Sequence, residues 1–173
     1  YLIGALFGIS VVVTQALAQW QTSPGNPQGQ RQFSGVQINP DTIGGLDQLW
    51  RFDSGFSLKT DTVQATPIYT GTAIITVNLA GDVMALRPEP GAVIWHTTLT
   101  SPVGRRGMTF VSDPQTGQGY LFVPTGDGVV SLNAETGDIL QKFDSGLSLL
   151  QPYIADNRLF VATLRDGIKA FDR

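Results

Sequence analysis

A nine-residue pattern occurs twice in this chain. Leu49-Trp50-Arg51-Phe52-Asp53-Ser54-Gly55-Phe56-Ser57 and Leu140-Gln141-Lys142-Phe143-Asp144-Ser145-Gly146-Leu147-Ser148 agree at six of nine positions and differ conservatively at two more. Such repetition constrains the fold more than any single residue does, because a repeated unit buries its apolar face only against its neighbours. Each copy runs into a proline-marked strand, Ala65-Thr66-Pro67-Ile68-Tyr69 or Gln151-Pro152-Tyr153-Ile154, and then into an apolar strand, Ala73 to Val77 or Leu159 to Thr163. A turn-and-strand unit follows three times: Ala80-Gly81-Asp82-Val83-Met84-Ala85-Leu86, Asp127-Gly128-Val129-Val130-Ser131-Leu132 and Asp166-Gly167-Ile168-Lys169-Ala170-Phe171. Its clearest form is Leu121 to Gly137, half of a four-stranded unit in which Gly126-Asp127-Gly128 is read as a hairpin turn with positive-φ glycines. Alternation puts Val83, Ala85, Val129, Ser131, Ile168 and Ala170 on one face of their strands.

The expected fold is therefore all-β: a partial β-propeller of about three four-stranded blades. A ring needs about 4–8 blades, so either further sequence supplies the rest or these blades complete another chain's ring. Twenty glycines, ten prolines and the sparse charge agree with short strands and many turns. A net charge of -3, with Arg105-Arg106 as the only adjacent basic pair, argues against nucleic acid as a partner. The lack of cysteine removes disulfides, thiol catalysis and cysteine-ligated zinc.

Residues 1–18 carry no charge, and Leu2 to Val13 is almost continuously apolar. This predicts an N-terminal hydrophobic helix with two readings. One is a signal peptide cleaved after Ala16-Leu17-Ala18, and the other is a retained membrane anchor. Both place the protein in the periplasm, soluble or anchored to the inner membrane. Residues 19–48 read as an extended linker in which Asp41 caps a short helical turn through Leu46, and residues 49–173 as the blades. A first residue other than methionine, and a last residue just past a strand end, are expected of a fragment open at both ends.

Several landmarks in fixed order carry a family resemblance: Gln28-Gly29-Gln30-Arg31-Gln32-Phe33-Ser34, Gln37-Ile38-Asn39-Pro40-Asp41-Thr42, Leu46 to Phe52, Gln64-Ala65-Thr66-Pro67, Arg106-Gly107-Met108-Thr109-Phe110, and Leu121 to Gly128. In this order they resemble the pyrroloquinoline-quinone (PQQ) dehydrogenases, the quinoproteins that oxidise alcohols and sugars. Leu121-Phe122-Val123-Pro124-Thr125-Gly126-Asp127-Gly128 is most similar to their membrane-bound, sugar- and polyol-oxidising branch. That branch carries a histidine shortly before the Arg-Gly pair, where this chain has Pro102, Val103 and Gly104.

The resemblance implies PQQ and Ca2+ as cofactors, an alcohol or sugar as substrate, and a quinone or cytochrome as electron acceptor. It also implies a reaction in which an aspartate base takes the hydroxyl proton while hydride passes to a quinone carbon polarised by calcium. That aspartate and most calcium ligands are expected outside this fragment, so no catalytic or metal residue is assigned to it. Three residues match cofactor contacts of the family. Arg106 matches its arginine and Thr125 a hydroxyl donor, while Gln64 stands where a glutamate is usual.

Each match has a plainer alternative. Arg106 also suits a solvated loop, and Thr125 a strand end before a turn. Gln64 can hydrogen-bond but carries no charge and cannot act as a base. Asp82, Asp127, Asp138 and Asp166 lie in glycine turns, where aspartate bonds local backbone. His96 has no second histidine or cysteine to ligate with, and Trp95 reads as a packing wedge. The function expected is the N-terminal part of an exported PQQ-dependent dehydrogenase. The alternative is a non-catalytic, membrane-anchored periplasmic scaffold subunit, which the charge-free Gln64 favours.

Overall fold

The computed structural model describes residues 39–53, 62–63, 65–148 and 150–172. The apolar segment 1–18, most of the linker and Gln64 lie outside them. Eleven strands form three antiparallel sheets, each in sequential order. The first holds β1 (Ile68–Tyr69), β2 (Ile74–Val77), β3 (Asp82–Leu86) and β4 (Val93–Thr98). The second holds β5 (Thr109–Ser112), β6 (Gly119–Pro124), β7 (Val129–Asn133) and β8 (Ile139–Phe143). The third holds β9 (Tyr153–Ala155), β10 (Arg158–Ala162) and β11 (Ile168–Asp172). Two four-stranded blades and one three-stranded blade, packed face to face, are the partial propeller that the repeats predict.

The face-sharing set behaves as alternation requires. Val83 and Ala85 of blade 1, with Ile68, Ile75 and Val77, meet Met108, Phe110, Leu121, Val123, Val130 and Leu132 of blade 2 in the larger core. Phe122 and Val129 point the other way and, with Phe143, meet Leu159 and Val161 of blade 3 in a smaller one. There the Phe143 ring stands edge-on to Phe171 at 5.6 Å. Val129 and Ile168 hold equivalent places, yet Val129 is covered by the following blade whereas Ile168 is 76% exposed.

Three local expectations are corrected. Gly126 and Gly128 do not have positive φ in the β6–β7 turn, although eight other glycines do. Gly128 is needed for space instead, because a Cβ there would run into the Phe143 carbonyl. Asp41 does not cap the short turn at Ile43–Gly45. The Asn39 carboxamide oxygen accepts the Asp41 and Thr42 amides at 2.9 and 3.1 Å, an Asx turn that begins two residues earlier. Finally, the nine-residue repeat is not the start of a blade: Leu140 to Phe143 lies in β8, the fourth strand of blade 2, so the pattern straddles two blades.

The blades are locked by a tryptophan from one seated on the turn of the next. The Trp95 indole N–H donates to the Ala134 carbonyl at 3.0 Å, and its ring lies where a Cβ on Gly137 would come within 2.5 Å. Gly137 also has φ +79°, so both its backbone and its space exclude a side chain. Trp50 repeats this one blade earlier, donating to the Pro88 carbonyl at 2.7 Å over Gly91. The wedge role read for Trp95 is thus what the structure shows, and Trp50 shares it.

Candidate functional site

Strand direction fixes where the chemistry-bearing turns lie. The turn before β5 carries Arg106, the β6–β7 hairpin carries Thr125 and Asp127, the stretch after β8 carries Ser145 and Ser148, and the β10–β11 turn carries Asp166. In antiparallel sheets of this order, all of them fall at one end of the blades. Backbone hydrogen bonds stitch these turns to one another. Leu79 N–H donates to Thr62 at 3.2 Å and Val103 N–H to Leu79 at 3.2 Å. Gly104 and Gly126 N–H donate to Pro124 and Pro102 at 2.8 and 2.9 Å, around a bridge between Val103 and Thr125. Ser148 N–H donates to Thr125 at 3.3 Å and Leu164 N–H to Leu147 at 3.1 Å. This inter-blade ladder makes a fixed rim, and no motif in the sequence announces it, because it uses main-chain atoms of unremarkable residues.

Arg106 is exposed on that rim, beside Gly107 at φ +101°. It has no ion pair or hydrogen bond among the described residues, so its guanidinium is free to meet an anion. Thr125 is buried at 1% exposure, and its hydroxyl is committed locally, to Asp127 Oδ1 at 2.9 Å and the Gly128 carbonyl at 3.1 Å. Asp127 is held below the ordinary carboxyl range by hydrogen bonds from Ser101 and Thr125, which favour its anion. A shallow groove brings Ser101, Thr125, Asp127, Lys142 and Asp144 together, but Arg106 does not line it. The structure therefore does not bring Arg106 and Thr125 into one lining, and Gln64 lies outside the described residues.

The remaining acidic turns are built from local bonds. Asp138 Oδ2 accepts from the Thr136 hydroxyl at 2.7 Å, and Asp166 Oδ2 meets the Lys169 ammonium at 3.0 Å. Asp82 Oδ1 accepts from Thr98 at 2.8 Å and pairs with His96 Nε2 at 2.9 Å, while its Oδ2 accepts from Asn78 at 2.9 Å. Burial works against the Asp82 anion, yet the bonds from Asn78, Thr98 and His96 outweigh it and hold the carboxyl low. His96 is thus a cross-strand partner of Asp82. Among the described residues, no three histidine, aspartate or glutamate side chains gather in a way that could hold a metal ion.

The family model for the PQQ-type glucose/ethanol/alcohol dehydrogenase β-propeller domain matches residues 20–172. The chain belongs to this family. Among solved structures, a quinohemoprotein alcohol dehydrogenase from Pseudomonas putida HK5 is 19% identical with TM-score 0.69, over 90% of this chain and 25% of that one. A europium-containing methanol dehydrogenase is 20% identical with TM-score 0.62, over 89% of this chain and 30% of that one. BamB from Moraxella catarrhalis is 17% identical with TM-score 0.55, over 72% and 36%. At these identities the likeness is one of fold. The chain spans between a quarter and about a third of the length of these structures. No curated protein matches the sequence.

PQQ is a planar tricarboxylate, so holding it takes cations and hydrogen-bond donors at its rim. Arg106 fits that need. Thr125 does not as it stands, because its single proton already serves its own turn, and the Asp127 carboxylate beside it repels an anion. One free cation is not a complete cradle.

Proposed function

We propose that the chain forms the first blades of an exported PQQ-dependent dehydrogenase that oxidises alcohols or sugars and passes electrons to a quinone or cytochrome. The observation that carries this reading is the family match across nearly the whole of residues 20–172. The free, exposed Arg106 on a fixed rim supports it, as does the uncharged apolar segment at residues 1–18, which suits export or a membrane anchor. In this reading Arg106 meets a carboxylate of the cofactor. Gln64 offers its amide to the quinone edge, and Thr125 turns its hydroxyl outward when the cofactor binds. The cofactor, with its calcium, supplies the hydride chemistry, and the groups that act as base and hold the metal come from further blades.

The test is titration of the chain with PQQ and Ca2+, followed by ultraviolet absorbance of the quinone and by dye reduction with alcohols and aldoses. Saturable binding that an Arg106→Ala variant weakens at least tenfold is the expected result. A chain that takes up no PQQ with or without calcium does not contribute to a PQQ rim, and the scaffold reading, favoured by the charge-free Gln64, would replace this one.

A further inference from the structure

The two ends of the described chain are complementary. Blade 3 has three strands, and β11 pairs with β10 on one side only among the described residues. Its equivalents are flanked on both sides: β3 pairs with β4 and β7 with β8. At the other end, Leu49 to Phe52 repeats the β8 sequence Leu140 to Phe143, yet these residues belong to no strand. Trp50 already occupies the seat of a fourth-strand tryptophan, on Pro88 and Gly91 of blade 1, as Trp95 does on blade 2. One end of the chain therefore presents a fourth strand without a blade, and the other a blade without a fourth strand.

The register of the missing pairing can be read from the two complete blades. Val129 faces Phe143, Val130 faces Lys142 and Ser131 faces Gln141 across β7 and β8. Transferred by the repeat, this sets Ile168 against Phe52, Lys169 against Arg51 and Ala170 against Trp50. The last pair reproduces Ala85 against Trp95 in blade 1, where a small residue leaves room for the indole. The two cations at Lys169 and Arg51 are tolerable, because the Lys169 ammonium is tied to Asp166 at 3.0 Å and to the Ser145 carbonyl at 2.9 Å. On the outward face of blade 3, Tyr153, Phe160 and Ala170 sit side by side across the sheet, with Ile168 beyond. Tyr153 and Ile168 are 50% and 76% exposed, whereas their blade 2 counterpart Val129 is buried against its neighbour.

We infer that the β11 edge of one copy takes the Leu49 to Phe52 strand of a second copy. An exposed third strand is a template for strand addition. The exchange is head to tail, and two copies close it, because two sets of three blades make six, within the range of about 4–8 that closes a propeller. The occupant is a second copy of this chain because the strand that completes β11 by register, tryptophan placement and sequence repeat is its own. The pairing does not rest on the dehydrogenase reading, since it uses outer strands and leaves the Arg106 rim untouched.

The test is the sedimenting mass of the full chain in mild detergent, which keeps residues 1–18 in solution. It is combined with mixing of two single-cysteine variants, Arg51→Cys and Lys169→Cys, in a protein that has no other cysteine. A mass double that of one chain is expected, together with a disulfide-linked dimer in the oxidised mixture and in neither variant alone. Ala170 is exposed in a single copy, so Ala170→Arg should keep the circular dichroism of the parent and halve the sedimenting mass. A parent chain that sediments as a monomer overturns the inference. So does a dimer that survives Ala170→Arg and gives no cross-link in the mixture, because it is held by other surfaces.

Discussion

At the scale of single residues, the aspartates divide by their partners and not by their sequence context. Asp82 and Asp127 occupy turns of the same kind, and each is held by a set of donors that lowers its carboxyl below the ordinary range. A folded-state value below the unfolded one stabilises the fold above the unfolded pKa of about 3.9, and that stability is lost as pH falls through the folded value. The Asp82→Asn, Asp127→Asn double variant should accordingly be less stable than the parent at neutral pH, and its urea midpoint should fall less steeply between pH 5 and pH 2. Parallel midpoint profiles would show that these bonds do not favour the anion. Thr125→Val leaves the Gly128 carbonyl and the Asp127 carboxylate without a buried donor, at about 1–3 kcal/mol. A drop in thermal midpoint with the Arg106 rim intact would separate this structural role from a cofactor contact. The sequence placed Thr125 at a strand end and also at a cofactor edge. Only the burial and direction of its hydroxyl show which task it performs in the chain by itself.

At the scale of elements, the seat of each tryptophan explains why the turns after β3 and β7 carry glycine. Removing the Trp95 side chain takes away an inter-blade wedge and a hydrogen bond to the Ala134 carbonyl, so Trp95→Ala should cost about 3–5 kcal/mol in chemical unfolding. Gly137→Ala should be comparably harmful through the opposite change, a Cβ pressed into the indole at a φ of +79°. If Gly137→Ala unfolds at the parent's denaturant concentration, the ring is not seated there. The strands themselves were legible: the alternation around Val83, Val129 and Ile168 named the right face, because a period of two is a property of the strand alone. Blade boundaries were not. The nine-residue repeat looked like the start of a unit, but hydrogen bonding assigns its first four residues to the end of one blade, and sequence similarity does not record which strand pairs with which. The turn glycines Gly126 and Gly128 were misread for a similar reason. Composition cannot tell a glycine chosen for positive φ from one chosen because another strand's carbonyl passes close by.

At the scale of the molecule, the two inter-blade cores differ in extent. The interface of blades 1 and 2 runs from Ala65 to Ala134, while that of blades 2 and 3 rests on Phe122, Val129, Phe143, Leu159 and Val161. Gln141 occupies the place in blade 2 that Trp95 holds in blade 1, so the second junction also lacks its tryptophan wedge. Local opening free energy follows buried contact. Amides of β10 and β11 should therefore exchange with deuterium faster than those of β2, β3, β6 and β7, and equal protection across the three blades would contradict this order.

The sequence by itself determined the all-β class, the repeat, the approximate blade count, the inward faces of the strands and the family, because each rests on periodicity or on landmarks in a fixed order. Only the tertiary structure decided that the turns of three blades are stitched into one rim. It alone showed that Arg106 stands free on that rim while Thr125 is turned into its own hairpin, and that Trp50 sits on blade 1 as a fourth strand without a third. These depend on main-chain atoms and directions brought together from distant parts of the chain, which residue types do not encode one at a time.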